Sequence, residues 1–277
     1  MCGRYVRRSD KQKLAEWFHA GGNLAELPMP DADYNIAPTT QQPIIRESRD
    51  SKDREIVLAR WGLIPFFTKT LNEVKGLSTI NARAETIATA RTWREPFRKR
   101  RCLVPASAFY EWPKYGQNPK QPYVFELASG GPFAFAGLWD AWKDAGGYWL
   151  QSFAIVTTEA NELMAPIHPR MPIILHARDY DRWLDRGESE RLPFDLLRPF
   201  DASEMEMHKA NPKVNSVRNN GPEMLDCRLQ SPPSRPATGT HLTCGREQAG
   251  NNLPASSAAP RSARPGRGCP VRLSAET

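Results

Sequence analysis

Cys2 follows the initiator methionine in Met1-Cys2-Gly3-Arg4-Tyr5. A cysteine is small enough for the methionine before it to be trimmed. Trimming would leave a thiol and an α-amine on neighbouring carbons. Such a 1,2-aminothiol condenses with an aldehyde through its amine and closes through its sulfur to a five-membered thiazolidine. Unperturbed, the amine titrates at about 7.7–8.0 and the thiol at about 8.5, so modest tuning makes either one a nucleophile. A cysteine in second position also arises by accident, so its meaning depends on what the fold sets beside it.

Other side chains suit proton transfer or positioning. Glu111 ends the apolar run Cys102-Leu103-Val104-Pro105-Ala106-Ser107-Ala108-Phe109-Tyr110. A buried carboxyl there would have a raised pKa and act as acid or base, whereas a surface carboxylate would have no task. His168 stands in Pro166-Ile167-His168-Pro169, a loop stiffened by two prolines. Rigid placement suits a catalytic imidazole, although an idle loop histidine is the commoner case. Asn81 precedes an Ala- and Arg-rich stretch, where it either caps a helix or offers an amide to an amine or carbonyl. Arg83, in the first turn of such a helix, makes electrostatic sense beside an anion such as a phosphate. Trp112 and the Phe66-Phe67 pair either fill the core or stack on bases. The five cysteines (Cys2, Cys102, Cys227, Cys244 and Cys269) form no close pairs, and no ligand spacing surrounds His168. Neither a metal site, a disulfide framework nor a cofactor is therefore expected.

The elements that must hold these residues read as strands with a few helices. Residues 2–6, 55–63, 102–109, 123–127, 133–138, 148–157 and 171–175 have strand patterns. Residues 9–19 read as a helix, with Ser9 and Gln12 as a capping box and Leu14, Trp17 and Phe18 on one face. Residues 82–92 read as a helix starting after Asn81, and 180–186 as a short one ended by Gly187. The absence of a βαβ rhythm predicts an α+β fold: one domain over 1–230, built on a curved, barrel-like mixed or antiparallel sheet with peripheral helices. Residues 231–277 hold no Phe, Trp or Tyr and are rich in Pro, Ser, Gly and Arg. That composition predicts a disordered tail.

Charge narrows the partners. The chain of 277 residues has a formal charge of +7. The tail holds six Arg and two acids and so carries +4, which leaves +3 on residues 1–230. A nucleic-acid argument must then rest on local placement of cations. No run is long and apolar enough to span a membrane, and Arg4, Arg7 and Arg8 interrupt any signal peptide. A cytoplasmic protein is the expectation.

Seven segments, taken in order, resemble the SRAP (SOS response-associated peptidase) family, proteins that crosslink to abasic sites in DNA. They are Met-Cys-Gly-Arg-Tyr at 1–5, Tyr-Asn-Ile-Ala-Pro-Thr at 34–39, Arg-Trp-Gly-Leu-Ile-Pro at 60–65, Asn-Ala-Arg-Ala-Glu at 81–85, Cys-Leu-Val-Pro-Ala at 102–106, Phe-Tyr-Glu-Trp at 109–112 and His-Pro-Arg-Met-Pro at 168–172. The resemblance implies that mature Cys2 attacks the ring-opened aldehyde of an abasic site in single-stranded DNA and forms a thiazolidine crosslink. Asn81 would position the amine or the sugar, and Glu111 and His168 would move protons. Arg4 and Arg83 would hold phosphates, with Trp112, Phe67 and Thr157 near the DNA or the site. A side activity as an abasic-site lyase and reversal of the crosslink are also implied, in a monomer that is nucleoid-associated if bacterial. Phe66 and Phe67 stand where the family often has a second tryptophan. Two other functions stay open at this level. One is an N-terminal-nucleophile peptidase that processes itself through Cys2, Asn81 and Glu111. The other is a nucleic-acid-binding module without covalent chemistry.

Overall fold

Extended runs that are buried on one or both faces dominate the chain and pair into two sheets. The computed structural model describes residues 2–48, 50–76, 78–114, 120–186 and 191–226. The strands of the first part are β1 (Tyr5–Arg7), β2 (Ala20–Gly21), β3 (Asp33–Ile36), β4 (Gln41–Glu47), β5 (Arg54–Trp61), β6 (Asn81–Arg83) and β7 (Arg101–Ala106). Those of the second part are β8 (Ala108–Glu111), β9 (Tyr123–Leu127), β10 (Phe133–Lys143), β11 (Trp149–Glu159), β12 (Arg170–Pro172), β13 (Ile174–Leu175) and β14 (Met205–Lys209). The α-helices among the described residues are short: α1 (Lys11–Phe18), α2 (Arg94–Lys99) and α3 (Tyr180–Leu184).

Strands β11, β10, β7, β4 and β5 pair antiparallel in that order. Parallel pairing of β11 with β5, Ser152 opposite Arg60 and Phe153 opposite Trp61, closes them into a five-stranded barrel. Strand β6 runs parallel beside β11, with Asn81 opposite Ile155. The second sheet is antiparallel, in the order β14-β9-β8-β1-β3. The expected α+β architecture on a barrel-like mixed sheet is therefore present. The tail expected over 231–277 lies outside the described residues, as does Gly187.

Strand β10 explains the layering. Side chains alternate between the faces of a strand, so a run buried on both sides has no polar face. Phe133, Phe135 and Trp139 enter the barrel core with Trp61, Ile44 and Phe153. Ala134, Ala136 and Leu138 face outward and are covered by Phe97 of α2 and Trp183 of α3. Burying each large side chain of this kind stabilises the fold by about 1.5–3 kcal/mol. Tyr5 meets Trp61 edge-on at 5.1 Å, which docks β1 onto the barrel core.

Four expectations change. Residues 82–92 are not a helix. Asn81–Arg83 forms β6, a 3-10 turn follows over Ala84–Thr86, and the helix forms later as α2. Pairing with Ile155, Val156 and Thr157 takes up the backbone of 81–83 and overrides the local helix preference of Ala and Arg. Residues 102–109 split at Ser107 into β7 of the barrel and β8 of the second sheet. Helix α1 is capped by Asp10, whose carboxylate accepts from the Lys13 amide at 2.8 Å, not by Ser9. Trp17 of that helix is exposed, and Leu14 and Phe18 are its buried residues, with Ala15 packed beside them.

Candidate active site

The break at Ser107 builds the site. The Ser107 amide donates to the Val6 carbonyl at 2.7 Å, and the Tyr110 amide to the Arg4 carbonyl at 3.0 Å. Strand β8 thus leaves the barrel to run antiparallel to β1, Phe109 opposite Tyr5. The same register carried two steps on sets Glu111 level with Gly3, beside Cys2. From the other flank, β6 delivers Asn81. Its Nδ2 donates to the Cys2 carbonyl at 2.9 Å, a buried bond that fixes the start of the chain. Buried Asn81 Oδ1 has no hydrogen-bond partner among the described residues, so it is an acceptor available to an amine or a hydroxyl. Asn81 is accordingly not a helix cap.

The third flank is the His168 loop. The Lys114 amide donates to the Ile167 carbonyl at 3.0 Å, which ties the segment after Glu111 to that loop. His168 Nδ1 lies 3.1 Å from the Arg170 amide and 3.0 Å from the Arg170 carbonyl, so the backbone of its own loop fixes the ring. Arg170 also pins the loop. Its guanidinium makes a two-pronged ion pair with Glu85, one contact at 3.0 Å, and donates to the Thr157 carbonyl at 2.8 Å.

Burial sets the protonation states. The Glu111 carboxyl is 3% exposed. Desolvation pushes its pKa up to about 7, against the lowering effect of the positive amino terminus. Near neutrality it therefore holds a proton it can give, and it becomes a base once that proton has gone. The Cys2 thiol is fully buried, and burial, then the charge of Glu111, pushes its pKa far above the ordinary value. It rests as a thiol and needs a base to become a thiolate. The His168 imidazole is shifted down, by burial first and by the positive amino terminus second, so it is neutral at physiological pH. A protonated carboxyl, a neutral imidazole and a thiol next to the chain start are the parts for stepwise addition to a carbonyl.

The remaining candidates divide into two groups. Asn81 and Arg83 lie two apart on β6 and so point to the same side of the strand. Arg83 is exposed and makes no hydrogen bond or ion pair with the described residues. Its place is a strand end, not a first helical turn. Phe67 lies in the loop after β5, which is held against the approach to Asn81 by Leu63 N–H donating to the Thr79 carbonyl at 3.1 Å. Arg4, by contrast, is engaged within the fold: its guanidinium donates to Asn35 Oδ1 at 2.7 Å and to the Val214 carbonyl at 2.9 Å. Trp112 is half-buried, donates to Asn215 Oδ1 at 2.6 Å and lies 5.8 Å from the Arg4 guanidinium. Thr157 is fully buried between β6, where its hydroxyl donates to the Ala82 carbonyl at 3.4 Å, and Arg170, which donates to its carbonyl.

Sequence reasoning passed over Arg170, Glu85 and Asn35. Asn35 Nδ2 donates to the carbonyls of Ser216 at 2.9 Å and Asn219 at 2.7 Å, which holds the 214–219 segment against β3. All three stand inside the quoted motifs, but their partners are distant in sequence, and residue type alone could not name those partners.

The chain has clear relatives among known proteins. The chain is 37% identical to the abasic site processing protein YoqW of Bacillus subtilis over 227 residues, covering 82% of this chain and 99% of that protein. It is 39% identical to YoaM of the same organism, also named an abasic site processing protein, over 82% of this chain and 98% of the relative. The mouse abasic site processing protein HMCES is 32% identical, over 80% of this chain and 70% of its own length. A crystal structure of a Bacteroides thetaiotaomicron protein superimposes with a TM-score of 0.73 at 28% identity, covering 81% of this chain and 98% of that one. The model of the family described as SOS response associated peptidase (SRAP) matches residues 1–217, and the chain belongs to that family.

Proposed function

We propose that this protein captures abasic sites in single-stranded DNA covalently, through the amino-terminal aminothiol that Cys2 presents once Met1 is removed. The observation that carries the reading is the Asn81 amide holding the Cys2 carbonyl at 2.9 Å beside a carboxyl that titrates at about 7. The names of the relatives support it.

The ring-opened sugar is an aldehyde. The free amine adds to its C1 and gives a carbinolamine. Loss of water, with the leaving hydroxyl protonated by Glu111, gives an imine. The Cys2 sulfur then adds to the imine carbon as its proton passes to a base and the imine nitrogen takes one up. The sum is one aldehyde and one aminothiol giving one thiazolidine and one water. Neutral His168 assists opening of the sugar hemiacetal and the later proton transfers. Asn81 Oδ1 accepts from the amine and aims its lone pair, and Arg83 faces a flanking phosphate. The imine is also the species from which β-elimination could cut the strand, so a lyase side activity and reversal belong to the same scheme. The protein works as a monomer without a cofactor.

The test is incubation of purified protein with an oligonucleotide bearing one abasic site. A heat-stable adduct is expected, and Cys2→Ala should reduce it to background. Equal adduct from that variant would overturn the reading. Glu111→Ala and His168→Ala should slow adduct formation by roughly 10²–10⁴-fold if each moves a proton in the rate-limiting step.

A further inference from the structure

We propose that the barrel end remote from Cys2 holds a second, non-covalent site: a slot for one neutral planar ring bearing carbonyl acceptors, of the uracil or thymine type. Its walls are Trp139, Trp149, Arg46 and Gln151, and its floor is Ala141. The inference does not depend on the abasic-site reading, because these residues take no part in it.

Strand register makes the slot. Across β10 and β11, Lys143 pairs with Trp149, Ala141 with Gln151 and Trp139 with Phe153. Residues two apart on a strand share a face, so Trp139, Ala141, Gln151 and Trp149 lie on the face that carries Phe153 into the barrel core. Ala141 contributes only a methyl group among longer neighbours, and a gap opens above it. Arg46 of β4 closes the far side. The cavity measures about 200 Å³. Pockets for drug-sized ligands run to roughly 300–1,000 Å³, so this one suits a single ring system. Trp149 stands six residues before Ile155, the level at which Asn81 lies. That separation is about 20 Å along β11, and Phe153, Trp61 and Phe135 pack the barrel between.

The lining selects the ligand. Arg46 is 8% exposed, and its Nε donates to Glu55 Oε1 at 2.8 Å and its Nη1 to Gln151 Oε1 at 3.0 Å. A guanidinium only donates, so the Gln151 amide turns its oxygen to Arg46 and leaves Nε2 over. Neither Gln151 Nε2 nor Arg46 Nη2 has a hydrogen-bond partner among the described residues. The slot therefore offers donors, and carbonyl oxygens are their complement. Its rings offer stacking faces: Trp149 is 59% exposed. The Arg46 guanidinium lies 4.2 Å from the centre of the Trp139 ring, and Lys143 Nζ lies 5.5 Å from that of Trp149. Both indoles thus already hold a protein cation, and a cationic ligand would meet like charge on each. Glu55 balances Arg46, so the slot has no surplus charge for an anion.

Donors at the edge and indoles at the walls favour one kind of base. Uracil and thymine carry two carbonyls on one ring. Cytosine replaces one of them with an amino group, a donor that would face donors. Stacking on an indole stabilises every base, so the edge groups of Arg46 and Gln151 set the preference.

The measurement is saturation-transfer NMR on the full chain, titrated with thymidine and separately with deoxycytidine. Thymidine should bind with a Kd on the order of 0.1–1 mM, the range open to a ligand of its size. Deoxycytidine should bind roughly fivefold more weakly or worse. Trp149→Ala should weaken thymidine roughly tenfold. Ala141→Leu fills the slot and should abolish binding, with thermal melting to check the fold. Gln151→Glu keeps an oxygen on Arg46 but removes the spare donor, and should weaken thymidine roughly tenfold without lowering the melting temperature. Wild-type protein that gives no transfer to thymidine, or Trp149→Ala or Ala141→Leu that binds it unchanged, would overturn the site. Equal affinity for the two nucleosides, or an unaffected Gln151→Glu, would overturn the carbonyl assignment. An oligothymidylate titrated against wild type and Trp149→Ala identifies the source of the ring. Weaker binding of strand and nucleoside alike assigns it to a strand, and loss of thymidine alone assigns it to a free nucleoside. Adduct formation on an abasic strand should proceed at the wild-type rate in Trp149→Ala, so the slot and the capture reading fail separately.

Discussion

Burial of the Glu111 carboxyl couples the site to pH. Its ordinary pKa of 4.5 is raised to about 7 in the folded chain, chiefly by desolvation. Below the unfolded value the group is protonated in both states, and its contribution to stability is fully present. As pH rises through about 7, the unfolded chain has already released the proton, and the folded one must either keep it or bury a charge. Stability therefore falls with rising pH across that window, by up to about 3 kcal/mol for a shift of this size. Glu111→Gln, which cannot ionise, should melt at the wild-type temperature in acid and above it well beyond neutrality. Thermal melts across pH check this, and identical pH profiles for the two proteins would contradict it. Residue type and position in the sequence marked Glu111 as an acid/base candidate. Its protonation state did not follow from them, because it depends on how completely the second sheet covers it. The same holds for Thr157, which the family resemblance placed near the DNA or the site and which the fold buries between β6 and Arg170.

Among the elements, β10 meets β7 too closely at Gly137 to admit a side chain. A Cβ on Gly137 would stand 2.7 Å from Cys102 Sγ and 2.8 Å from Val104 Cγ2, both on the adjoining strand. Gly137→Ala should therefore force the two strands apart and cost about 1–3 kcal/mol, measured by denaturant unfolding. A value near zero would mean that the barrel yields easily at this point. Strand β6 teaches a different lesson. Its residues favour a helix locally, and the sequence placed Asn81 at a helix start. Parallel pairing with β11 instead makes 81–83 extended, which turns Asn81 towards Cys2 and Arg83 to the same side. The two candidates were identified from sequence, but their geometry was not, because a partner strand more than 70 residues away decided it.

For the whole molecule, the family match covers residues 1–217. Deleting residues 231–277 should leave the melting temperature and adduct formation unchanged. Because it lowers the net charge from +7 to +3, it should weaken low-salt binding to DNA only modestly. Calorimetry and the crosslinking assay decide this, and a large drop in melting temperature would assign the tail a structural task. By itself the sequence determined the strand-rich α+β class, the ordered motifs and the short set of candidate site residues. These follow from side-chain type, periodicity and order along the chain, which are local properties. Only the tertiary structure decided that the barrel closes through β11 and β5, that Ser107 hands the chain from one sheet to the other, and that Cys2, Asn81 and Glu111 meet. Those outcomes depend on pairings between distant segments and on burial, and both arise only when the whole chain is packed.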